Sequence, residues 1–217
     1  MDQGPLYLSV KLAIVSTAWL LCLAVPVSYC MVYRRFRGFF LVESIVGLPL
    51  VLPPTVLGFF LLTAMGPASV IGRGWESLFG GPLVFTFYGI TVAAIIQSLP
   101  FAVQPIKTAF EKIDHQLVET AYVLGASRFE TFFRVILPNA RGGLVAATIL
   151  SFAHIMGEFG VILMVGGAIP GQTKVASIAI YEYVETMQYR EGLLLSLTLL
   201  GISYVVLLLF NYLNRAD

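Results

Sequence analysis

The chain has 217 residues, of which 58% are hydrophobic and only 12% charged, with a mean hydropathy of +0.88. A soluble domain carries about 25% charged residues, so this composition excludes an ordinary water-exposed surface and indicates one that faces lipid. The 13 basic residues against 12 acidic ones give a net charge of +1. This excludes a protein that binds nucleic acid electrostatically, because such a protein needs an excess of basic residues. Two cysteines are too few for a disulfide framework or a cysteine-based metal site.

Five apolar stretches are each long enough to cross a bilayer core as a helix, which takes about 20 residues. They run over residues 12–33, 41–65, 84–103, 144–165 and 193–213. They predict an all-α integral membrane protein with five transmembrane helices in one domain over residues 8–213, multi-pass in a cell membrane. The first stretch is too long for the apolar region of a signal peptide, so it is interpreted as a retained span.

The distribution of basic residues predicts the orientation of these spans. Four basic residues fall on one side of the membrane: Lys11, Arg73, Lys174 and Arg190. Nine fall on the other side: Arg34, Arg35, Arg37, Lys107, Lys112, Arg128, Arg134, Arg141 and Arg215. Because basic residues concentrate in cytoplasmic loops, the N-terminus is predicted outside and the C-terminus inside.

Prolines interrupt two of the spans. Pro49, Pro53 and Pro54 predict a bent or broken second span, since proline lacks an N–H and clashes one turn back. The carbonyls freed there fit either a transport pathway or a kink that only improves packing. Pro100 and Pro105 predict that the third span breaks or ends on its cytoplasmic side.

Glu158 places a carboxylate deep within the fourth span, where it must face protein or water. His154 lies four residues earlier on the same helix face, so the two side chains are predicted to pair. A metal or proton site is the weaker interpretation, because no further ligand-type residues cluster nearby, and no metal site is predicted. A structural role is favoured, in which Glu158 caps broken backbone at Gly157 and Gly160.

Residues 114–138 are too polar to span and are patterned as two short helices on the cytoplasmic side. Asp114 predicts an N-cap for a helix over residues 115–124 that ends at Gly125, and Ser127 with Glu130 forms a capping-box pattern. Pro138 is predicted to close the unit after apolar residues at helical spacing: Phe129, Phe132, Phe133 and Ile136. The residues alone allow either an interfacial element lying on lipid or a docking knob for a partner protein.

The spacing within this loop resembles the EAA motif of ABC importer permeases, EAA-x3-G-x9-I-x-LP. Here the motif starts at Glu119 and departs from the family pattern at Thr120 and Val135. The resemblance implies a type I ABC importer permease fold in a bacterial or archaeal cell membrane, and a coupling helix that sits in a cleft of a separate ATPase subunit. It assigns ATPase coupling to eight loop residues: Glu119, Thr120, Ala121, Gly125, Ser127, Phe129, Leu137 and Pro138.

Two further stretches, residues 46–62 and 154–185, resemble molybdate ABC importer permeases. This resemblance implies the permease subunit of an ATP-driven molybdate importer, working as a homodimer with two cytoplasmic ATPase subunits and a soluble substrate-binding protein at the outer face. Tungstate and sulfate permeases share parts of these stretches, so a permease for either anion stays open. An ATP-independent anion channel and an intramembrane enzyme using His154 and Glu158 have less support.

The sequence contains no G-x4-G-K-[ST] phosphate loop, so the chain is not predicted to be an enzyme or to hold a cofactor. The resemblance instead assigns ATP and Mg to the partner ATPase. Because the spans offer no Arg or Lys at depth, anion selectivity is assigned to the binding protein, and the outer loop over residues 166–192 is interpreted as part of the surface that meets it. Pathway or gate candidates are Pro53, Pro54, Ser98, Ser151, Gly157, Glu158 and Gly160, although hydroxyls such as Ser98 and Ser151 fit a helix-packing role as well.

Overall fold

In the computed structural model, which describes residues 3–34 and 38–215 (side chains through residue 208), every regular element is helical. A π-helical turn lies at Phe132–Ile136. The α-helices are α1 Gly4–Tyr33, α2 Phe39–Val51, α3 Pro54–Met65, α4 Val70–Phe79, α5 Phe87–Glu111, α6 His115–Val123, α7 Arg128–Thr131, α8 Leu137–Asn139, α9 Arg141–Gly157, α10 Gly160–Gly166, α11 Ala176–Glu185 and α12 Tyr189–Arg215. Arg35, Arg37 and the side chain of Arg215, counted above among the basic residues, lie outside the described part.

Within the described residues, three single helices are long and apolar enough to cross a membrane: α1, α5 and the Tyr189–Leu208 part of α12. Two bent pairs raise the number to as many as five. The first pair is α2 with α3, bent by 116°, and the second joins Arg128–Asn139 to α9, bent by 68°. The second predicted span is therefore not a single straight helix. The fourth, over residues 144–165, is interrupted between the end of α9 at Gly157 and the start of α10 at Gly160.

The break between α2 and α3 lies at Leu52 and Pro53. Pro54 opens α3 in the first helical turn, where its missing N–H has no intrahelical partner to lose. Leu52 is extended, with φ −74° and ψ 136°, as the residue before a proline prefers. Pro49, by contrast, lies inside α2 without breaking it. The predicted broken second span is thus confirmed, and the consecutive prolines cause the break.

The prediction for Pro100 and Pro105 is wrong, because both lie inside an unbroken α5 that continues to Glu111. Each proline removes one backbone hydrogen bond, but α5 is the central helix and packs against both α1 and α9. Gly143 of α9 allows a close approach there, since a Cβ added to it would lie 2.8 Å from the Pro105 carbonyl oxygen. Tertiary packing therefore keeps the helix continuous where the local sequence favours an interruption.

Two apolar clusters flank the middle of the α1–α5–α9 bundle. One contains Leu20 of α1 and Val103 of α5 and extends to Ile136 in the π turn. The other contains Leu12 of α1 and Ile155 of α9. The Ser28 hydroxyl donates to the Val103 carbonyl oxygen at 3.2 Å, which fixes α1 against α5. The loop between α5 and α9 is thus continuous with the core through Ile136.

The short helices α3 and α10 pack against each other across glycines. A Cβ added to Gly58 of α3 would lie 2.7 Å from Met164 Cβ, and one added to Gly160 of α10 would lie 2.9 Å from Pro54 Cβ. Distances below 3.0 Å leave no space for a side chain, so both glycines are required for this close approach. The two broken spans therefore contact each other next to their interruptions.

An ion pair fastens α2 to the end of α5. Lys107 Nζ contacts the Glu43 carboxylate and lies 3.8 Å from Glu111 Oε1. A carboxylate beside the bilayer is costly without a cation. We expect Lys107→Met to lower the free energy of unfolding by about 1 kcal/mol, the upper range for partly exposed pairs. Unfolding in mixed detergent micelles would measure the change.

Glu111→Gln is the matched control for Lys107→Met. It removes the longer pair to the same ammonium group and leaves the contact with Glu43 intact. We expect a change of no more than about 0.3 kcal/mol. An equal loss in both variants would contradict a specific role for the Glu43 pair.

Candidate functional site

The loop between α5 and α9 begins with a well-capped helix. The Asp114 carboxylate accepts the Gln116 N–H at 2.9 Å, as predicted for an N-cap. Val118 and Ala121 are buried, and Val118 belongs to the apolar cluster that contains Ile136. One face of α6 is therefore held against the protein core.

The opposite face of α6 is free of contact with the rest of the described chain. Glu119 and Thr120 are exposed, whereas Ala121, the third residue of the motif, is buried. Val123 and Leu124 are large apolar residues that are 87% and 81% exposed. Two apolar side chains exposed to this degree next to polar ones indicate a contact surface.

Gly125 ends α6 in a left-handed conformation, with φ +86°. Its N–H donates to the Tyr122 carbonyl oxygen and the Ala126 N–H donates to that of Ala121, both at 3.0 Å. These two hydrogen bonds form a Schellman C-cap, which favours glycine at this position. The predicted helix stop is thus confirmed. A Cβ at residue 125 would meet no atom within 4 Å, so the glycine is required by its backbone and not by crowding within the chain.

The predicted capping box at the start of α7 is also confirmed. The Ser127 N–H donates to Glu130 Oε2 at 3.0 Å, and the Glu130 N–H donates to Ser127 Oγ at 3.2 Å. These reciprocal bonds satisfy two backbone donors that a helix start leaves open. Ser127 therefore builds the turn between the two helices of the loop.

The unit ends next to Pro138, as predicted. Pro138 is the second residue of α8, which ends at Asn139, and after Ala140 the chain bends by 68° into α9. The widened turn before it accommodates the proline: the Leu137 N–H bonds five residues back, to the Phe132 carbonyl oxygen, so the helix avoids the clash a proline makes with the preceding turn. The Asn139 side chain donates to the Val135 carbonyl oxygen at 2.7 Å. Ile136 is buried, while Phe129 and Phe133 are exposed.

The capping box makes this turn sensitive to acid. Hydrogen bonds from the Ser127 N–H and hydroxyl hold the pKa of Glu130 below its ordinary value of 4.5. A depressed folded-state pKa means that the contribution to stability is complete above the unfolded-state value and is lost as the pH falls through the folded-state value. We expect protection of the Ser127 amide from hydrogen exchange to decrease as the pH falls below 4.5. Glu130→Gln, which keeps an acceptor oxygen, is the control and should show no such decrease; an equal decrease in that variant would contradict the assignment.

Three predicted polar residues meet inside the membrane part of the bundle. Ser98 Oγ lies 3.0 Å from His154 Nδ1, and His154 Nε2 lies 3.6 Å from Glu158 Oε2. Phe101 stacks on the imidazole with ring centroids 4.1 Å apart. The pairing of His154 with Glu158 was predicted from their spacing. The partnership of Ser98 with His154 was not, because it joins two helices that are 56 positions apart in sequence.

Glu158 also holds the break between α9 and α10. Its backbone is extended, its Oε1 accepts the Val161 N–H at 3.3 Å, and its carbonyl oxygen accepts the Ser177 hydroxyl at 2.7 Å. These bonds satisfy polar groups at a helix interruption, as the favoured structural role requires. The role of Ser177 could not be predicted from the sequence, since no local pattern links residues 166–192 to the break.

Ser98 is completely buried, whereas the His154 side chain is partly exposed. Within residues 3–34 and 38–208, no three His, Cys, Asp or Glu side chains come together as metal ligands. The hydrogen bond between Ser98 and His154 connects α5 to α9.

Of the five remaining pathway candidates, three are exposed, one is buried and one packs against the other broken span. Pro53, Pro54 and Gly157 are exposed at the two helix breaks. Ser151 is fully buried, and its hydroxyl has no partner within the described chain. Gly160 packs against Pro54, so one candidate from each broken span contacts the other. The structure thus places four candidates at the helix breaks: Pro53, Pro54, Gly157 and Gly160. Ser151 is instead buried away from solvent.

The segment over residues 166–192 is more ordered than a solvated loop, because it contains α11. Lys174 pairs with Glu182, and Thr173 is buried and donates to the Gly166 carbonyl oxygen at 2.7 Å. Ala176 donates its N–H to Ser9 Oγ of α1 at 2.8 Å. This segment therefore forms a fixed cap on one end of the bundle.

Comparisons with known proteins agree with this architecture. The family model described as "Binding-protein-dependent transport system inner membrane component" matches residues 12–216. The chain belongs to this family. As a member, it is a multi-pass protein of the cell membrane and a permease subunit of ABC transport systems.

Individual relatives cover nearly the whole chain. The molybdenum transport system permease protein ModB of Azotobacter vinelandii is 43% identical over 95% of this chain and 91% of its own. A probable sulfate transport system permease protein of Chlorella vulgaris is 35% identical over 85% of this chain and 69% of its own. A chain in an inward-facing structure of the MetNI methionine ABC transporter shares the fold, with a TM-score of 0.73 at 18% identity, covering 98% of this chain and 94% of that one.

Proposed function

We propose that this chain is the membrane-spanning permease subunit of an ATP-driven importer that carries molybdate into the cell. The similarity to the Azotobacter vinelandii molybdenum permease over 95% of the chain carries the proposal. The exposed face of α6, which starts at the motif residue Glu119 and ends at the left-handed Gly125, supports it from the structure. The sulfate alternative rests on relatives of lower identity that extend well beyond this chain.

The proposed topology has five crossings: α1, the α2–α3 pair, α5, the α9–α10 pair and α12. The nine basic residues on the side of the loop between α5 and α9, against four on the other side, support a cytoplasmic loop, with the N-terminus outside and the C-terminus inside. Five crossings are too few to enclose a pathway, so two copies form it at a two-fold axis. Two ATPase subunits bind the two cytoplasmic loops, and a soluble binding protein delivers the anion to the outer face near α11.

Some of the loop residues contact the ATPase subunit, and the others hold the loop in position. Glu119 and Thr120 are exposed and contact the ATPase cleft, and Phe129, also exposed, lies just after the turn beside that contact. Three groups of residues hold them in place: Ala121 packs α6 on the core, Gly125 and Ser127 form the turn, and Leu137 with Pro138 joins the loop to α9. ATP and Mg bind to the partner subunit and not to this chain.

Transport follows from movement of the two loops. ATP binding closes the ATPase dimer, draws the loops together and favours the outward-facing state to the extent that it binds that state better. Because α9 joins the loop directly to the break at Glu158, a rotation of the loop reaches the α3–α10 contact. The pathway offers no lysine or arginine at depth, so the binding protein supplies the selectivity among anions.

Uptake into vesicles tests this function directly. We expect the chain, reconstituted with its ATPase subunit and binding protein, to import molybdate only when ATP is supplied. A large excess of sulfate should leave uptake unchanged, whereas uptake blocked by sulfate would favour the alternative substrate. Tungstate, which has the same charge and shape, is expected to compete. Flux without ATP would instead show an anion channel and overturn the proposal.

A further inference from the structure

An open groove of about 870 Å³ runs along the cytoplasmic half of α1, between α1, the 128–137 segment and the start of α9. Apart from two arginines, its lining is apolar or aromatic. Residues that form its length include Leu21, Val25, Phe132 and Leu144. Tyr29 and Phe132 meet edge to face, with ring centroids 5.1 Å apart, so packed aromatic rings form part of its wall. No residue of the described chain fills this groove.

Positive charge is confined to one end of the groove. Arg34 follows α1 as its C-cap, and Arg128 opens α7; both line the groove and both are exposed. In the described part of the chain, neither guanidinium forms an ion pair with a carboxylate. Two such groups at one mouth suit a phosphate group, which accepts two parallel hydrogen bonds from each guanidinium.

The length of the groove matches one leaflet of a bilayer. Leu21 and Arg34 are 13 positions apart, or about 20 Å along a helix. Half of a bilayer core is about 15 Å thick, which leaves the arginines at the level of the headgroups. The groove is therefore apolar at the depth of acyl chains and cationic at the depth of phosphates.

We propose that this groove binds an anionic phospholipid, with one acyl chain along Leu21 and Val25 and the phosphate between Arg34 and Arg128. The proposed topology names the leaflet as the cytoplasmic one; the site itself does not depend on the transported anion. Basic residues beside apolar clefts at this level are a physical basis for binding anionic headgroups. The lipid joins α1 to the segment that follows the coupling helix and so stabilises the position of the loop.

Native mass spectrometry of the assembled importer in detergent tests the site with phosphatidylglycerol and phosphatidylcholine as probes. We expect the wild-type complex to retain phosphatidylglycerol preferentially. Removing both charges with Arg34→Gln and Arg128→Gln should weaken that binding about tenfold and leave phosphatidylcholine unchanged. The control pair Arg73→Gln and Arg190→Gln removes the same charge from exposed positions outside the groove and should have no effect.

Two further measurements separate the occupant from other candidates. Val25→Trp fills the groove and is expected to reduce binding of both lipids. Cys22 lines the groove and Cys30 does not, so a maleimide that carries a photoreactive group, attached to Cys22 in a Cys30→Ser chain, cross-links to whatever lies in the groove. Cross-linking of Cys22 to an ATPase subunit or to a second copy would overturn the proposal, as would unchanged phosphatidylglycerol binding in the double arginine variant. None of these measurements uses uptake, so failure of the lipid site can be distinguished from failure of the proposed transport function.

Discussion

Gly125→Leu is expected to reduce ATP-driven uptake at least about tenfold, equivalent to about 1.4 kcal/mol of lost coupling, while the chain still reaches the membrane. Gly125 has φ +86° and open space around its Cα, so leucine strains the backbone without a clash inside the chain. In the complex, the added side chain projects from the turn toward the ATPase cleft. Uptake and co-purification of the ATPase subunit are the two measurements.

Gly80→Leu supplies the control for backbone strain. Gly80 ends α4 with φ +74°, and a Cβ there would also meet no atom within 4 Å. Both variants therefore incur a similar cost of about 1–2 kcal/mol for a left-handed non-glycine residue. Only Gly125→Leu should lose the ATPase subunit. Equal loss of uptake in both variants would assign the effect to strain and contradict a docking role for the turn.

Gly160→Leu is expected to destabilise the folded chain by about 1–3 kcal/mol, because it overpacks the α3–α10 contact. A Cβ on Gly160 would lie 2.9 Å from Pro54 Cβ and 3.6 Å from the Thr55 nitrogen, so the two short helices must separate. We expect a lower yield of monodisperse protein and a lower unfolding temperature. Glu158 would then no longer hold the start of α10 in register.

Gly157→Leu, three positions earlier, is expected to behave differently. Gly157 is the exposed last residue of α9, and a Cβ there meets no atom within 4 Å. The variant should fold with wild-type stability but lose uptake about tenfold if the helix break lines the pathway between two copies. Normal uptake by Gly157→Leu would remove this residue from the pathway. Normal stability of Gly160→Leu would contradict the α3–α10 packing.

Local features of the fold could be predicted from the sequence because their causes are local. The Asp114 cap, the glycine stop at Gly125 and the Ser127–Glu130 capping box each depend on residues within a few positions of one another. The break in the second span also has a local cause, because the consecutive prolines Pro53 and Pro54 interrupt the helix. The pairing of His154 with Glu158 could be predicted because residues four positions apart lie on the same face of a helix.

The features that could not be predicted depend on tertiary contacts. Pro105 lies inside a continuous helix because Gly143, far along the chain, packs against it. Pro138 is accommodated by a π turn whose hydrogen bond spans five residues, a pattern with no clear sequence signal. The contact of Gly160 with Pro54 joins two interruptions that each looked like an independent kink. Conflicts between local preference and packing therefore mark the places where sequence reasoning failed.

The central claim is that α6 lies on the cytoplasmic side of the membrane and is covered by an ATPase subunit. Labelling of a single cysteine at the end of α6 measures both. Leu124 is 81% exposed, so Leu124→Cys in a chain with Cys22 and Cys30 replaced by serine offers one accessible thiol. We predict that a membrane-impermeant maleimide labels it in inverted vesicles and not in intact cells, and that a bound ATPase subunit protects it. Labelling from outside intact cells would contradict the assignment of this loop as the coupling element.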